Sequence, residues 1–252
     1  MKKIILGSLI LSSLIFAGDV KIAVAANVSY AIDELKNEFK KLNPEVKVLV
    51  TLGSSGKLTA QIKNGAPYQI FMSANMLYPE NLYNDGFALT KPVIYAKGSL
   101  AILSPSPRNL KNGLNLLTDA KIRKIAVANP KTAPYGVATV EALKNAKLYE
   151  QLKKKFVYGE SISQTISYAM SATDIGIVAK SSLFSKRMKN FKEGENWVSV
   201  DSNLYRPIDQ GIIMLKGMEQ NDEAHAFYNF LLGEKAREIF TKYGYMLSWE
   251  SE

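Results

Sequence analysis

The chain has 252 residues, of which 32 are Lys or Arg and 23 are Asp or Glu, and its formal net charge is +9 at pH 7. It has no cysteine and one histidine, which excludes disulfides, thiol chemistry and metal sites built from cysteines or several histidines. The basic residues are spread along the chain, which is typical of a solvated surface, although a positive field favours the approach of anions.

The first 17 residues are predicted to be a Sec-type signal peptide. Lys2 and Lys3 precede an apolar run that ends in small residues at Ala17 and Gly18, where we expect cleavage. The run is shorter than the ~20 apolar residues of a membrane span, although an uncleaved anchor is the alternative. We therefore expect a periplasmic protein, which argues against nucleic acid as a partner.

The remaining chain alternates short strand-like runs with amphipathic helical patterns. In its first third, strands are predicted at residues 21–25, 46–52 and 68–73, and helices at 31–42 and 58–63. Further strands are predicted at 99–104, 124–128, 175–179 and 211–215, and further helices at 137–146, 222–232 and 234–243. This order predicts mainly parallel sheets flanked by helices.

Two α/β units without a Gly/Ser linker are best explained by two lobes joined by extended crossings. We place the crossings near residues 95–100 and 205–211. Lobe I would then be discontinuous, with residues 18–97 and 210–252, and lobe II would hold residues 98–209. A single larger sheet is the alternative.

Four short polar segments lie where a strand-like run gives way to a helical pattern. They are Ala26-Asn27-Val28-Ser29, Gly53-Ser54-Ser55-Gly56, Ala133-Pro134-Tyr135-Gly136 and Glu160-Ser161-Ile162-Ser163. The carboxyl ends of parallel strands are where α/β folds bind ligands, and helix N-termini there attract anions. Any one segment alone would be interpreted as a helix cap. Four segments, two from each lobe, favour a shared anion-binding cleft.

Two enzyme motifs fit the segment around Ser54 poorly. A phosphate-binding loop would need Gly in place of Thr51 and Ser or Thr in place of Leu58. Ser54 and Lys57 match the Ser-x-x-Lys pair of serine acyl-enzymes, but the companion S-D-N and K-T-G motifs are absent. We therefore predict a protein that is not an enzyme, with a periplasmic serine acyl-enzyme as the alternative.

Nothing in the sequence indicates a resident cofactor or a protein-bound metal ion. The one histidine, His225, falls in a late amphipathic helical pattern, where a structural role is expected.

Several phrases of the sequence resemble the family of periplasmic molybdate-binding proteins of ABC importers. They are Gly53-Ser54-Ser55-Gly56-Lys57-Leu58-Thr59-Ala60-Gln61-Ile62, Asn64-Gly65-Ala66-Pro67, Phe71-Met72-Ser73-Ala74, Ala236-Arg237-Glu238-Ile239-Phe240 and Tyr243-Gly244-Tyr245. The resemblance covers nearly all of the chain after the signal. It implies the type II fold of periplasmic solute-binding proteins, with two lobes and two hinge crossings.

The resemblance also implies a set of ligand-binding residues. Asn27 stands at the position of a first-loop Ser in the family, Ser55 matches the second-loop Ser, and Tyr135 and Ile162 stand at the positions of an Ala and a Val. Ala26 and Ser54 are expected beside them. A branch of the family with an Asn in the first loop and Ala-Pro-Tyr-Gly is closer to this sequence.

One family position has no hydroxyl here, because Ala179 stands where several family members have a Tyr in a later strand. We expect the Tyr135 phenol to take over from the missing hydroxyl.

The resemblance implies that the protein is a monomer that binds molybdate, and tungstate with it, for delivery to an ABC permease. Neutral N–H and O–H donors suit a fully deprotonated oxyanion, which offers only acceptors. Another tetrahedral oxyanion such as sulfate is the alternative ligand. Closure is expected to be a hinge movement of the lobes.

Overall fold

The structure is a computed structural model that describes residues 18–247. The predicted signal peptide therefore lies outside the described residues. Within residues 18–247, no helix is long and apolar enough to cross a membrane.

The ten strands form two five-stranded sheets. The first sheet, in the order β2-β1-β3-β10-β4, contains β1 (Val20–Ala25), β2 (Val48–Gly53), β3 (Ile70–Met72), β4 (Val93–Gly98) and β10 (Ile208–Met214). The second sheet, in the order β7-β6-β8-β5-β9, contains β5 (Leu100–Leu103), β6 (Ile125–Ala128), β7 (Phe156–Gly159), β8 (Ile175–Ala179) and β9 (Trp197–Ser199).

Helices cover both sheets. They are α1 (Ile32–Leu42), α2 (Ser55–Lys63), α3 (Leu77–Asn84), α4 (Pro134–Asn145), α5 (Tyr149–Leu152), α6 (Ile162–Ser171), α7 (Asp222–Leu232) and α8 (Glu234–Lys242). Short 3₁₀ turns complete the chain at Ala26–Tyr30, Gly113–Thr118, Lys153–Lys155, Lys180–Phe184, Lys186–Met188 and Ser202–Leu204.

One reversed strand in each sheet marks the passage between the two units. β10 runs antiparallel to both β3 and β4, while β1 pairs in parallel with β2 and β3. β5 likewise runs antiparallel to β8 and β9, while β6 pairs in parallel with β7 and β8. Four strands of each sheet therefore share one direction, and the fold is the expected pair of mainly parallel sheets flanked by helices. The chain passes from β4 to β5 at Ser99 and returns to the first sheet through β10.

Each sheet has a buried apolar cluster on both of its faces. In β1, Val20, Ile22 and Val24 face the cluster beneath α1, α7 and α8, while Ala23 faces the cluster beneath α2 and α3. Burial on both faces explains why these strands read as continuous apolar runs in the sequence. The exact lobe boundaries after residues 97 and 209 stay a prediction.

Two helices begin earlier than their apolar patterns suggest, and the difference matters for the site. The helix expected at residues 58–63 begins at Ser55, and the helix expected at 137–146 begins at Pro134. Pro134 is tolerated there because the first helical residue needs no N–H partner. The segments with Ser55 and Tyr135 are therefore first helical turns rather than loops.

Candidate anion-binding site

A small cavity lies between the two sheets. It is lined by Ala25, Ala26, Asn27, Gly53, Ser54, Ser55, Ala74, Ala133, Pro134, Tyr135 and Ile162. All six residues predicted for the site belong to this lining, four from the side of the first sheet and two from the second. None of the lining side chains carries a charge.

Three helices begin at the cavity wall. Ser55 and Ile162 are the first residues of α2 and α6, and Tyr135 is the second residue of α4. Backbone N–H groups in a first turn have no partner within the helix, and the helix dipole places partial positive charge there. Such termini can hold an anion without a cationic side chain.

The two serines of the second segment offer hydroxyl groups. Ser55 is fully buried, and its Oγ accepts a hydrogen bond from the Ala74 N–H at 3.0 Å, so its own proton can be donated. The Ser54 Oγ is buried without a hydrogen-bond partner. A buried hydroxyl without a partner is costly, which makes Ser54 a natural donor to a ligand.

The amide of the Asn27 side chain is hydrogen-bonded to residues behind the cavity. Its Nδ2 donates to Gln210 Oε1 at 2.8 Å and to Tyr245 Oη at 2.9 Å. Its Oδ1 is buried and has no partner.

The Tyr135 phenol also points away from the first turn of α4, toward β4 and β10. Its hydroxyl accepts from Gln210 Nε2 at 3.1 Å and lies so close to Gly98 that a Cβ there would be 2.1 Å away. Ala179 is buried at the end of β8 and is not part of the cavity lining. The expected takeover of its lost hydroxyl by Tyr135 stays a prediction, since the phenol is engaged with Gln210.

Hydrogen bonds between the two units close the cleft around the cavity. The Gly56 N–H donates to Thr132 O at 3.0 Å, and Ser163 Oγ donates to Ala26 O at 2.9 Å. Ser181 Oγ donates to Asn27 O at 3.3 Å.

Burial keeps three tyrosines at the back of the site protonated. It raises the pKa of Tyr95 and Tyr135 well above the ordinary value, and it raises the pKa of Tyr245 as well. Their hydroxyls therefore remain neutral hydrogen-bonding groups throughout the physiological pH range.

The sequence-based reasoning missed three residues behind the cavity: Gln210, Tyr95 and Tyr245. Gln210 was assigned to a crossing, but it lies fully buried in β10. A glutamine among Ile and Met residues of a strand is a signal that could have been used, because buried amides nearly always have partners.

The remaining groups with catalytic potential have other partners. The Lys57 ammonium forms an ion pair with the Glu160 carboxylate across the cleft. His225 Nε2 lies 3.0 Å from the carbonyl oxygen of Met218. Within residues 18–247, no group of three or more potential metal-ligating side chains is present.

Comparison with known proteins places this geometry in a family. The family model of the bacterial extracellular solute-binding proteins matches residues 20–246. The molybdate-binding protein ModA of Azotobacter vinelandii is 34% identical over 244 residues, which are 96% of this chain and 95% of that protein. ModA of Rhodobacter capsulatus is 35% identical over 91% of this chain and 89% of its own length.

A solved structure agrees with the sequence relatives. The periplasmic molybdate-binding protein of Azotobacter vinelandii superposes with a TM-score of 0.83 at 33% identity, over 90% of this chain and 99% of that one. The chain therefore belongs to the bacterial extracellular solute-binding proteins and, within them, to the family of the molybdate-binding protein ModA.

Proposed function

We propose that this protein binds molybdate in the periplasm and delivers it to an ABC importer. The observation that carries the proposal is the uncharged cavity between the two sheets, with helix N-termini and serine hydroxyls from both sides. The relatives named as molybdate-binding proteins support the same ligand.

The donors match the chemistry of a metal oxyanion. Ser54, Ser55 and the first-turn N–H groups can donate, and a fully deprotonated oxyanion offers only acceptors. Hydrogen bonds to a charged group contribute about 1.5–3 kcal/mol each, so several of them can offset the loss of hydration. Tungstate has the same shape and charge and should bind as well.

The closed cleft provides the signal for transport. Once the lobes close on the anion, contacts such as Gly56 to Thr132 and Lys57 to Glu160 hold one defined outer surface. The permease would recognise that surface on a monomer. Residues 1–17 would direct export and then be removed.

The protein acts by binding alone, without catalysis and without a resident cofactor. The alternative of a Ser54 nucleophile would need Lys57 as its base. Lys57 is instead paired with Glu160 at the exposed surface of the cleft, whereas Ser54 is buried in the cavity.

A calorimetric titration with molybdate, tungstate, sulfate and phosphate tests the proposal. We expect tight binding of the first two anions and at least about tenfold weaker binding of sulfate. Anion at 100 times its dissociation constant should also stabilise the fold by about 2.7 kcal/mol in a thermal unfolding experiment. Preferential binding of sulfate, or the absence of heat with molybdate, would overturn the proposal.

A further inference from the structure

A chain of buried polar groups runs behind the cavity from one lobe to the other. Gln210 stands at its centre: its Oε1 accepts from Asn27 Nδ2 and from Tyr95 Oη, both at 2.8 Å. Its Nε2 donates to Tyr135 Oη at 3.1 Å. The far end is Tyr245, whose hydroxyl contacts both Asn27 Nδ2 and Asn27 O at 2.9 Å.

The position of Gln210 in the fold lets it serve both lobes. It lies in β10 where the strand register shifts between Gln210 and Gly211. Such irregularities re-aim a side chain and are common beside functional sites. The extra residue at this shift is Tyr95 of β4, and Gln210 bonds to it as well as to Asn27 and to Tyr135 on α4.

Among these buried polar groups, the side-chain oxygen of Asn27 has the wrong polarity for an anion site. Both Nδ2 contacts of Asn27 are directed to Gln210 and Tyr245, so the only polar side-chain atom left for the cavity is Oδ1. That oxygen is buried without a partner, and the whole residue is 1% exposed. A carbonyl oxygen beside an oxyanion is repulsive, and a buried acceptor without a donor is costly.

Turning two side-chain amides over removes the conflict when the tyrosine hydroxyls turn with them. Tyr245 then donates to Asn27 Oδ1 in place of Asn27 O, which keeps the hydrogen bond from Ser181. Nitrogen and oxygen of an amide occupy nearly the same space, so both orientations fit the same site. After the turn, Gln210 Nε2 donates to Asn27 Oδ1 and to Tyr95 Oη, and Tyr95 donates to Ser73 O, which lies 3.4 Å away. Tyr135 then donates to Gln210 Oε1, and both N–H bonds of Asn27 become available to the cavity.

We propose that Gln210 is a positioning residue of the anion site, whose amide turns over together with that of Asn27, so that the anion meets an N–H group rather than an oxygen. The inference rests on the proposed function, because it takes an oxyanion as the ligand. It assigns to a β10 residue outside the cavity lining the control of the donor that Asn27 presents.

Side-chain amide signals in ¹⁵N NMR spectra test the proposal on the intact protein. The signals of Asn27 and Gln210 are assigned by their loss in Asn27→Ser and Gln210→Met. When wild-type protein is saturated with sodium molybdate, both pairs of signals should shift, because their N–H groups exchange partners. If calorimetry shows binding while the Gln210 signals stay in place, the proposal is wrong. If wild-type protein gives no heat with molybdate, the proposed function fails and this inference fails with it.

Two variants of equal side-chain length separate the orientation effect from packing. Gln210→Glu presents oxygens to Asn27 and holds its Nδ2 at the hinge, so the affinity for molybdate should fall by about tenfold or more. Gln210→Met neither donates to the Asn27 amide nor accepts from it, and the Tyr245 hydroxyl that remains can bond to either amide atom, so the loss of affinity should be smaller. Equal losses, or a larger loss for Met, would indicate a merely structural role.

The negative charge that Gln210→Glu introduces needs its own control, because repulsion alone would also weaken binding. If the Asn27 amide cannot turn in Gln210→Glu, its NMR signals should not shift even at molybdate concentrations that saturate this variant. Signals of Asn27 that still shift at saturation would point to charge repulsion and would overturn the proposal. If this variant does not fold, the wild-type spectra decide alone.

Discussion

At the residue scale, Ser55 has a single hydroxyl proton and one accepting bond already made to Ala74 N–H. Substitution of Ser55 by Ala removes the donor and leaves that N–H without its acceptor. Since a hydrogen bond to a charged group contributes about 1.5–3 kcal/mol, we expect Ser55→Ala to weaken molybdate binding by at least about tenfold in calorimetry.

Ser167→Ala is the matched control for this substitution. Ser167 lies on the exposed side of α6, and its hydroxyl bonds only to Ser163 O within the helix. Its affinity for molybdate should equal that of the wild type. An unchanged affinity in Ser55→Ala would contradict the assignment of this hydroxyl to the anion.

Ser54 should contribute to binding without contributing to the stability of the anion-free protein. Its Oγ is buried without a protein partner in the closed cleft, where such a group costs about 1–3 kcal/mol unless a ligand accepts its proton. Ser54→Ala removes both the cost of closing the cleft without a ligand and the bond to the anion. It should therefore lower the affinity for molybdate in calorimetry while the melting temperature without anion does not fall. A lower melting temperature together with unchanged affinity would mean that the hydroxyl has a structural partner.

The residues with polar groups at strand ends were predictable, and those behind them were not. Asn27, Ser55 and Ile162 follow strand-like runs, which locates them at the carboxyl edge of a sheet from sequence alone. The sequence does not predict where a side chain points. Tyr135 lines the cavity as expected, but its hydroxyl is bonded to Gln210. That depends on Gly98, whose missing Cβ leaves room for the phenol.

At the element scale, the N-terminus of α2 is in direct contact with the second lobe. A Cβ added to Gly56 would lie 3.0 Å from the backbone oxygen of Thr132 and 2.8 Å from Tyr78 Oη. Tyr78 is a half-buried side chain that can turn, whereas the carbonyl of Thr132 moves only with its lobe. Gly56 therefore permits the closed arrangement.

Substitution of Gly56 by Ala should hinder closure while leaving the fold intact. Overpacking costs about 1–3 kcal/mol, and here the cost falls only on the closed state, so the affinity for molybdate should drop roughly tenfold. The helix itself gains from the change, because Ala is a better helix former than Gly. Calorimetry and thermal unfolding of the anion-free protein measure the two effects.

A Gly56→Ala variant with wild-type affinity would show that the lobes do not need this close approach.

Elements with strong periodicity were predictable to the residue, and those that depend on partners were not. The strand at 175–179 and the helix at 222–232 have the predicted bounds. Helix α3 was missed because Pro79 interrupts its pattern, although proline is tolerated in a first turn. β9 was missed because three residues carry too little alternation, and its pairing with β5 forms it.

At the scale of the whole molecule, the polar chain around Gln210 lies where both lobes and both crossings meet. Tyr95 belongs to β4, Gln210 to β10 and Tyr135 to α4, and Tyr245 follows α8. Because these hydroxyls are bonded to groups from distant parts of the sequence, charge on any one of them disturbs the joint between the lobes. The pH at which these tyrosines ionise therefore reports on the integrity of the joint between the lobes.

The resulting prediction is a loss of stability at alkaline pH. Burial raises the pKa of Tyr95 and Tyr135 well above the ordinary value and raises the pKa of Tyr245. Below pH ~10 both folded and unfolded chains keep these protons, so the three phenols give no pH dependence. Above it, only the unfolded chain releases them, and the free energy of unfolding should fall by up to about 1.4 kcal/mol per pH unit for each tyrosine.

Urea unfolding at pH 8, 10 and 11 measures this slope, and phenolate absorbance shows when each group ionises. The three buried tyrosines should titrate only as the protein unfolds, after the exposed ones. In Tyr95→Phe the slope should be shallower by one phenol, because the other two keep their burial. Titration of all tyrosines near pH 10 in the folded protein would show that water and hydroxide reach the joint, and the buried hydrogen-bonded chain could then not hold the orientation of Asn27.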